Sequence, residues 1–134
     1  MGEILSNHVN NASVEIDASA ARTATGPGVT MANPGAQGAM FLIAVTAVSG
    51  TTPTLTARVQ YSVNGSLFSD LDSTNAITSS ITATGNYTIK VSPGASNTAA
   101  FVSNLRLPRT YRLLYTIGGT TPSFTFSSHA AYLP

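Results

Sequence analysis

The side chains that could do acid–base chemistry in this chain are few and scattered. The acids and histidines are Glu3, Glu15, Asp17, Asp70, Asp72, His8 and His129. General acid–base catalysis and glycoside hydrolysis both need two carboxylates that face one cleft. Asp70 and Asp72 are a close pair, and the run that follows them lacks the central glycine and terminal glutamate of a calcium loop. We therefore predict a solvated hairpin end at this place.

Nucleophilic catalysis by a Ser-His-acid site would need one of the two histidines. His129 follows Ser127 and Ser128 in an alternating segment that has no glycine-bounded nucleophile elbow. We expect His129 on the polar face of a strand, and two histidines so far apart make a poor metal site. Because there is no cysteine, disulfides and thiolate metal sites are excluded. The sequence predicts no enzyme, no cofactor and no bound metal.

Arg106, Arg109 and Arg112 form the one concentration of charge. They fit a patch that meets an acidic partner surface, and they also fit a solvated bend whose charges protect a strand edge. Only 8% of the residues are charged and the net charge is +1, so no field attracts nucleic acid or an acidic membrane. A low-charge surface rich in Ser, Thr and Ala is typical of chains that bury surface in an assembly.

One phrase occurs twice in the chain: VSGTTPTLT at residues 48–56 returns as IGGTTPSFT at residues 117–125. Each copy follows an apolar run and leads into a segment that alternates apolar and polar residues, so each predicts strand, turn, strand. The last hairpin is expected to pair residues 111–117 with residues 124–126. Residues 40–48 are apolar on both faces, which predicts a central strand buried on each side.

The whole pattern predicts an all-β domain without helices. We expect eight or nine strands in a β-sandwich or jelly-roll-like domain over residues 18–134, with Asn64-Gly65 as a hairpin turn. Residues 76–83 are expected to form a further strand. Residues 1–17 are predicted to be an extended N-terminal arm, and Ile4, Leu5 and Val9 are its candidate anchors on a partner.

Three segments resemble small virion structural proteins of tailed bacteriophages. They read TAVSGTTPTL at residues 46–55, YSVNGSLFSDL at residues 61–71 and YTIGGTTPSFTF at residues 115–126. AARTATG at residues 20–26 looks like the opening segment of the same family, so the resemblance spans most of the chain. Phe68 stands where we would expect Trp, and the first seventeen residues have no counterpart that we can name.

The resemblance implies a virion component, and first of all a capsid decoration (cement) protein. Such a protein is made in the host cytoplasm and binds the outer capsid surface, where its partners are the major capsid protein and further copies of itself in a homotrimer. No nucleic acid or membrane partner is expected. The alternatives are a neck or tail component of the virion and a host-surface or carbohydrate-binding module. The absence of Trp weakens the carbohydrate-binding alternative.

Overall fold

The computed structural model describes residues 12–96 and 101–134, and within them the protein is all-β. One sheet contains the strands β1 (Ser13–Arg22), β2 (Gly26–Pro27), β3 (Met31–Ala32), β4 (Gly38–Ser62), β5 (Phe68–Asp70), β6 (Gly85–Val91), β7 (Val102–Ser103) and β8 (Thr110–Leu133). This confirms the prediction of an all-β domain. In the described part of the chain, no helix has the length and apolar character needed to cross a membrane.

The two long strands β4 and β8 form the frame of the fold. They pair antiparallel from Gly38, opposite Leu133, to Tyr61, opposite Tyr111. Aromatic rings from the two halves of this ribbon are in contact, which shows that the ribbon folds over at its middle. The ring centroids of Phe41 and Tyr111 lie 5.7 Å apart, and those of Tyr115 and Phe126 lie 4.7 Å apart, both in edge-on contact. The result is a β-sandwich built from one folded ribbon.

Each half of the ribbon is the centre of one layer of this sandwich. In the first layer, residues 38–49 and 123–133 are extended by β1 on the β8 side and by β6 and β7 on the β4 side. In the second layer, residues 54–62 and 110–118 are flanked by β2 and β3 on the β8 side and by β5 on the β4 side. Side chains alternate across each strand, so alternate residues enter the core between the layers.

The outward face of the first layer differs from the prediction for residues 40–48. Phe41 and Ile43 point into the core and are fully buried. Met40, Leu42 and Ala44 alternate with them, lie on the outward face and remain partly exposed. The prediction that this strand is buried on each side was therefore wrong for the described chain, which covers one of its two apolar faces.

The repeated phrase does not form two turns, and the predicted hairpins at these positions were wrong. Its copies lie in the middle of β4 and β8 and pair with each other, with Ser49 opposite Ser123. Gly50 and Gly119 have φ of +113° and +114°. A Cβ on Gly50 would lie 2.7 Å from the carbonyl oxygen of Thr121, and a Cβ on Gly119 would lie 2.7 Å from that of Thr52. Because each glycine lacks a Cβ, the backbone of the other copy can lie against it where the ribbon bends.

This local two-fold arrangement, which we call the double corner (residues 50–53 and 119–122), also changes the pairing of the last strands. β8 continues as one strand through its copy and bends there from one layer into the other, so residues 111–117 and 124–126 belong to opposite layers. Their predicted hairpin was wrong for this reason. The turn residues of each copy bend the strand that contains them, and the two copies pair with each other.

The shorter elements agree with the sequence in part. The hairpin predicted at Asn64-Gly65 is confirmed between β4 and β5, where Ser62 pairs with Phe68. The predicted two-residue turn was wrong, because residues 63–67 separate the paired positions and only Gly65 of the two has a positive φ, +83°. Residues 76–83 form only two isolated bridges, Leu55 with Ile81 and Arg58 with Ile77. These two contacts fasten the segment to the edge of β4 without making a strand of it.

The N-terminal strand begins inside the segment predicted to be an arm. β1 pairs Val14 with Ala130 and Asp17 with Ser128, and the side chain of Asp17 is buried. The predicted boundary after residue 17 therefore falls within a strand that belongs to the first layer. The candidate anchors Ile4, Leu5 and Val9 lie outside the described residues.

We predict that the double corner is sensitive to a single added methyl group. Gly50→Ala or Gly119→Ala should lower the free energy of unfolding by about 2–4 kcal/mol, because a left-handed backbone and a collision with a carbonyl oxygen act together. Gly94→Ala is the matched control, since Gly94 has φ of +81° but has nothing within 4 Å of its Cβ position. Its cost should be about 1 kcal/mol. Urea denaturation measures all three, and equal losses would contradict the close approach of the two copies.

Candidate functional site

The structure divides the predicted arginine cluster between two places. Arg106 and Arg109 are exposed and line one hollow of about 360 Å³. The rest of its lining is Asn33, Pro34, Gly35, Ala36 and Leu107. Arg112 lies elsewhere, because its Nε donates to Gln60 Oε1 at 2.9 Å and its guanidinium stacks 3.8 Å from the ring centroid of Phe68. Two of the three predicted arginines thus share a surface.

The floor of this arginine hollow is an Asn-Pro-Gly turn fixed by the side chain of Asn33. Its Oδ1 accepts the backbone N–H groups of Gly35 and Ala36 at 3.1 and 2.8 Å, which is the usual Asx-turn role. Its Nδ2 donates to the carbonyl oxygens of Ala36 and Leu107 at 2.8 and 3.2 Å. The backbone N–H of Asn33 donates to the carbonyl of Arg109 at 2.7 Å. The turn and the arginine-bearing bend are therefore held together as one piece.

The two guanidinium groups of the hollow differ from those of the other arginines in having no partner among the residues that the structure describes. Arg58 forms an ion pair with Asp70 at 2.6 Å, and Arg22 donates to the carbonyl of Phe126 at 2.8 Å. Among the described residues, Arg106 and Arg109 form no hydrogen bond or ion pair through their side chains. None of the described residues that line the hollow is acidic. Their charges face solvent from a rigid base.

The carboxylates of the close acidic pair, Asp70 and Asp72, accept hydrogen bonds from different sets of donors. Burial alone would raise the pKa of Asp70, but hydrogen bonds from Gln60 and Arg58 and the Arg58 charge outweigh it and lower the pKa. Asp72 likewise has a lowered pKa, because backbone and side-chain donors of its own loop, together with the Ser103 hydroxyl, outweigh the effect of burial. The two carboxylates do not face one cleft. In the part of the chain that the structure describes, no three potential ligands form a group that could hold a metal ion.

His129 lies on the outward face of the first layer, as the alternation predicted. Its Nε2 is 3.0 Å from Ser127 Oγ, and with Met40, Leu42 and Ala131 it lines an open apolar hollow of about 450 Å³. No acidic side chain of the described residues forms an ion pair with His129. The pair thus lacks the acid that orients the imidazole in serine hydrolases.

A polar cluster lies inside the core, and no motif in the sequence indicated it. Asp17 Oδ2 accepts hydrogen bonds from the hydroxyls of Tyr115 and Ser128, and Asp17 Oδ1 accepts the backbone N–H of Val29 at 2.9 Å. Register shifts on both sides of Asp17 break the alternation, so Ile16 and Asp17 are both buried. Burial, and then the hydrogen bond to Asp17, raise the pKa of Tyr115 far above its ordinary value. Tyr115 therefore stays protonated and donates.

This cluster fastens strands from both layers to β1. Tyr115 belongs to the second layer, whereas Asp17 and Ser128 belong to the first. A Cβ on Gly28 would collide with the Asp17 carboxylate, so the chain passes over the cluster at a glycine. A glycine in this turn-rich stretch indicates the cluster only once the fold is known. The arrangement links the two layers inside the core.

No known protein family, curated protein or solved structure matches this chain.

We predict that the bonds to Asp17 stabilise the fold more than neutral hydroxyl pairs do. Tyr115→Phe should lower the free energy of unfolding by about 1.5–3 kcal/mol, because it removes a donor from a buried carboxylate. Tyr132→Phe is the control, since it removes a hydroxyl 2.7 Å from that of Tyr111, and should cost about 0.5–1.5 kcal/mol. Thermal and urea denaturation compare the two. Equal costs would contradict the role given to the carboxylate.

We also predict a pH dependence at Asp70. Its folded pKa lies below the ordinary 3.8, so its contribution to stability is present above about pH 4 and disappears as the pH falls through the folded pKa. Asp70→Asn should cost about 0.2–1 kcal/mol at neutral pH, because the ion pair is partly exposed. The difference from the unmodified protein should shrink in urea denaturation near pH 3. A difference that is constant with pH contradicts the assignment.

Proposed function

We propose that the protein is a structural component of a tailed-phage virion, and specifically a capsid decoration protein. In this role it binds the outer capsid surface as a homotrimer and contacts the major capsid protein. The segments that resemble such proteins support the proposal by their positions. Residues 46–55 and 115–126 pair around the double corner, and residues 61–71 form the hairpin from β4 to β5. The resemblance therefore concerns the scaffold as a whole.

The observation that carries the proposal is the outward face of the first layer. The strand at residues 40–48 is apolar on both faces, yet the described chain covers only one of them. Met40, Leu42 and Ala131 lie in the middle of the other face, with His129 and Thr88 beside them. An apolar centre inside a polar rim is the usual anatomy of a protein–protein interface. This face favours a protein that works while packed against another one.

The double-stranded ribbon suits a protein that must carry load. A cement transmits force between neighbouring shell subunits that are under pressure from packaged DNA. The β4–β8 ladder extends from Gly38 to Tyr61, with register shifts between residues 45 and 47 and between residues 49 and 54, so a pull along it is shared by many hydrogen bonds. The edge strand β1 is fastened by Asp17 as well as by its own ladder. Both features oppose unravelling from the edge.

The first test is the number of copies bound to the particle. Undecorated heads of the cognate phage are mixed with the purified protein, the excess is removed, and bound copies per head are counted. A number set by the icosahedral shell, on the order of hundreds, supports decoration. About a dozen copies would assign the protein to the neck or tail, since those parts follow the portal axis. No binding overturns the virion proposal and favours the host-surface alternative.

We predict that the outward face of the first layer contributes to this binding. Leu42→Glu should reduce head binding at least tenfold, because it puts a charge at the apolar centre of the face. Thr116→Glu is the matched control, since Thr116 is exposed on β8 in the second layer, and its binding should be unchanged. Circular dichroism and thermal denaturation check that both variants fold. Equal binding by the two variants contradicts the use of this face.

A further inference from the structure

We propose that the arginine hollow is a binding site for an oxyanion, and that its occupant is a carboxylate side chain from an acidic segment of a partner protein. The hollow lies at the end of the molecule opposite the double corner. There Gln37 and Leu107 connect the start of β4 to the bend before β8, through a 2.8 Å hydrogen bond from Leu107 N–H to the carbonyl of Gln37. It is separate from the outward face of the first layer.

The first argument is charge. The chain has six cationic side chains, and the described structure gives Arg22, Arg58 and Arg112 partners of their own. Arg106 and Arg109 have none among the described residues, although they lie on one small hollow. Two like charges at one place repel each other, and an anion between them removes that repulsion. A carboxylate also matches the planar fork of a guanidinium, which donates two parallel hydrogen bonds to it.

The second argument is rigidity. A binding site is effective when its base does not have to be ordered on binding. Asn33 uses both ends of its amide to hold the turn and the bend together. Ala36 and Leu107 are buried beneath them, with 2% of their surface exposed. Only the two arginine side chains have freedom to lose, so most of the ordering cost is already met by folding.

The third argument concerns the kind of anion. The hollow has about 360 Å³, which lies near the lower end of small-ligand pockets at roughly 300–1,000 Å³. Nucleic acids are bound by extended basic stripes that contact many phosphates, and this hollow has two cations in a chain of net charge +1. A single side chain fits better. Free phosphate shares the chemistry of a carboxylate, so the experiment includes it as a separate arm.

The identity of the partner as the capsid protein rests on the proposed function, whereas the site itself does not. The first probe is therefore a small peptide. Isotope-labelled full-length protein is titrated with an acetylated, amidated tetraglutamate peptide, and the Nε–H signals of Arg106 and Arg109 and the amides of Gly35 and Ala36 are followed by NMR. We expect saturable shifts confined to the hollow. The corresponding tetraglutamine peptide should produce none.

The variants make the test specific. The double substitution Arg106→Gln with Arg109→Gln should weaken peptide binding at least tenfold. Lys90→Gln is the matched control, because Lys90 is also exposed and without a side-chain partner among the described residues, but lies on β6. Peptide affinity should not change in this variant. An equal loss in both, or no binding to the unmodified protein, overturns the site. Inorganic phosphate that binds as tightly as the peptide overturns the assignment to a protein side chain.

Head binding separates this inference from the proposed function. If the unmodified protein binds the peptide but not the heads, the oxyanion site stands and the capsid role falls. If heads bind the unmodified protein and the double variant equally, and the peptide binds neither, the site falls and the capsid role stands. Reduced head binding by the double variant, together with lost peptide binding, supports both.

Discussion

The close approach of the two Gly-Thr-Thr-Pro segments in the double corner is the constraint on which the rest of the structure depends. Gly50 and Gly119 each occupy a left-handed conformation and each lie against the carbonyl oxygens of the other copy. Because both strands of the ribbon bend at the same level, the ladder continues through the bend. The two halves can then face each other, which brings Phe41 to Tyr111 and Tyr115 to Phe126. If one strand bent alone, the pairing would break at the corner.

The buried carboxylate is a second constraint, and it determines where the chain enters the sandwich. Asp17 accepts donors from both layers, so β1 cannot slide along β8 without breaking the cluster. Ser13 is thereby held opposite Ala131 at the rim of the outward apolar hollow. The start of β1 thus lies beside the face proposed to meet the shell. This proximity follows from the register of one strand.

Local signals in the sequence predicted the strands well and their partners poorly. Alternation identified the inward residues Leu55, Ala57 and Val59 in the second half of β4, and Asn64-Gly65 indicated its hairpin. The repeated phrase contains the residues at which the strands bend. A glycine that allows another strand to approach closely cannot, however, be distinguished in a single sequence from a glycine that closes a hairpin turn. Arg106 and Arg109 were expected together because they are close in sequence. Asn33, which fixes their base, lies far from them in the chain, so no spacing rule indicated it.

The two proposed surfaces have different physical roles in one docking event. Apolar contact on the first layer is not directional and grows with the area removed from water, so it provides affinity but defines orientation weakly. A pair of arginines at one end of the molecule is directional, because a carboxylate must lie within reach of both guanidinium groups. Because the chain has so few charges, two arginines without a partner among the described residues have a disproportionate effect on which end faces an acidic partner. In the proposed role, the arginine hollow therefore determines the orientation of the docked protein, and the apolar face provides most of its affinity.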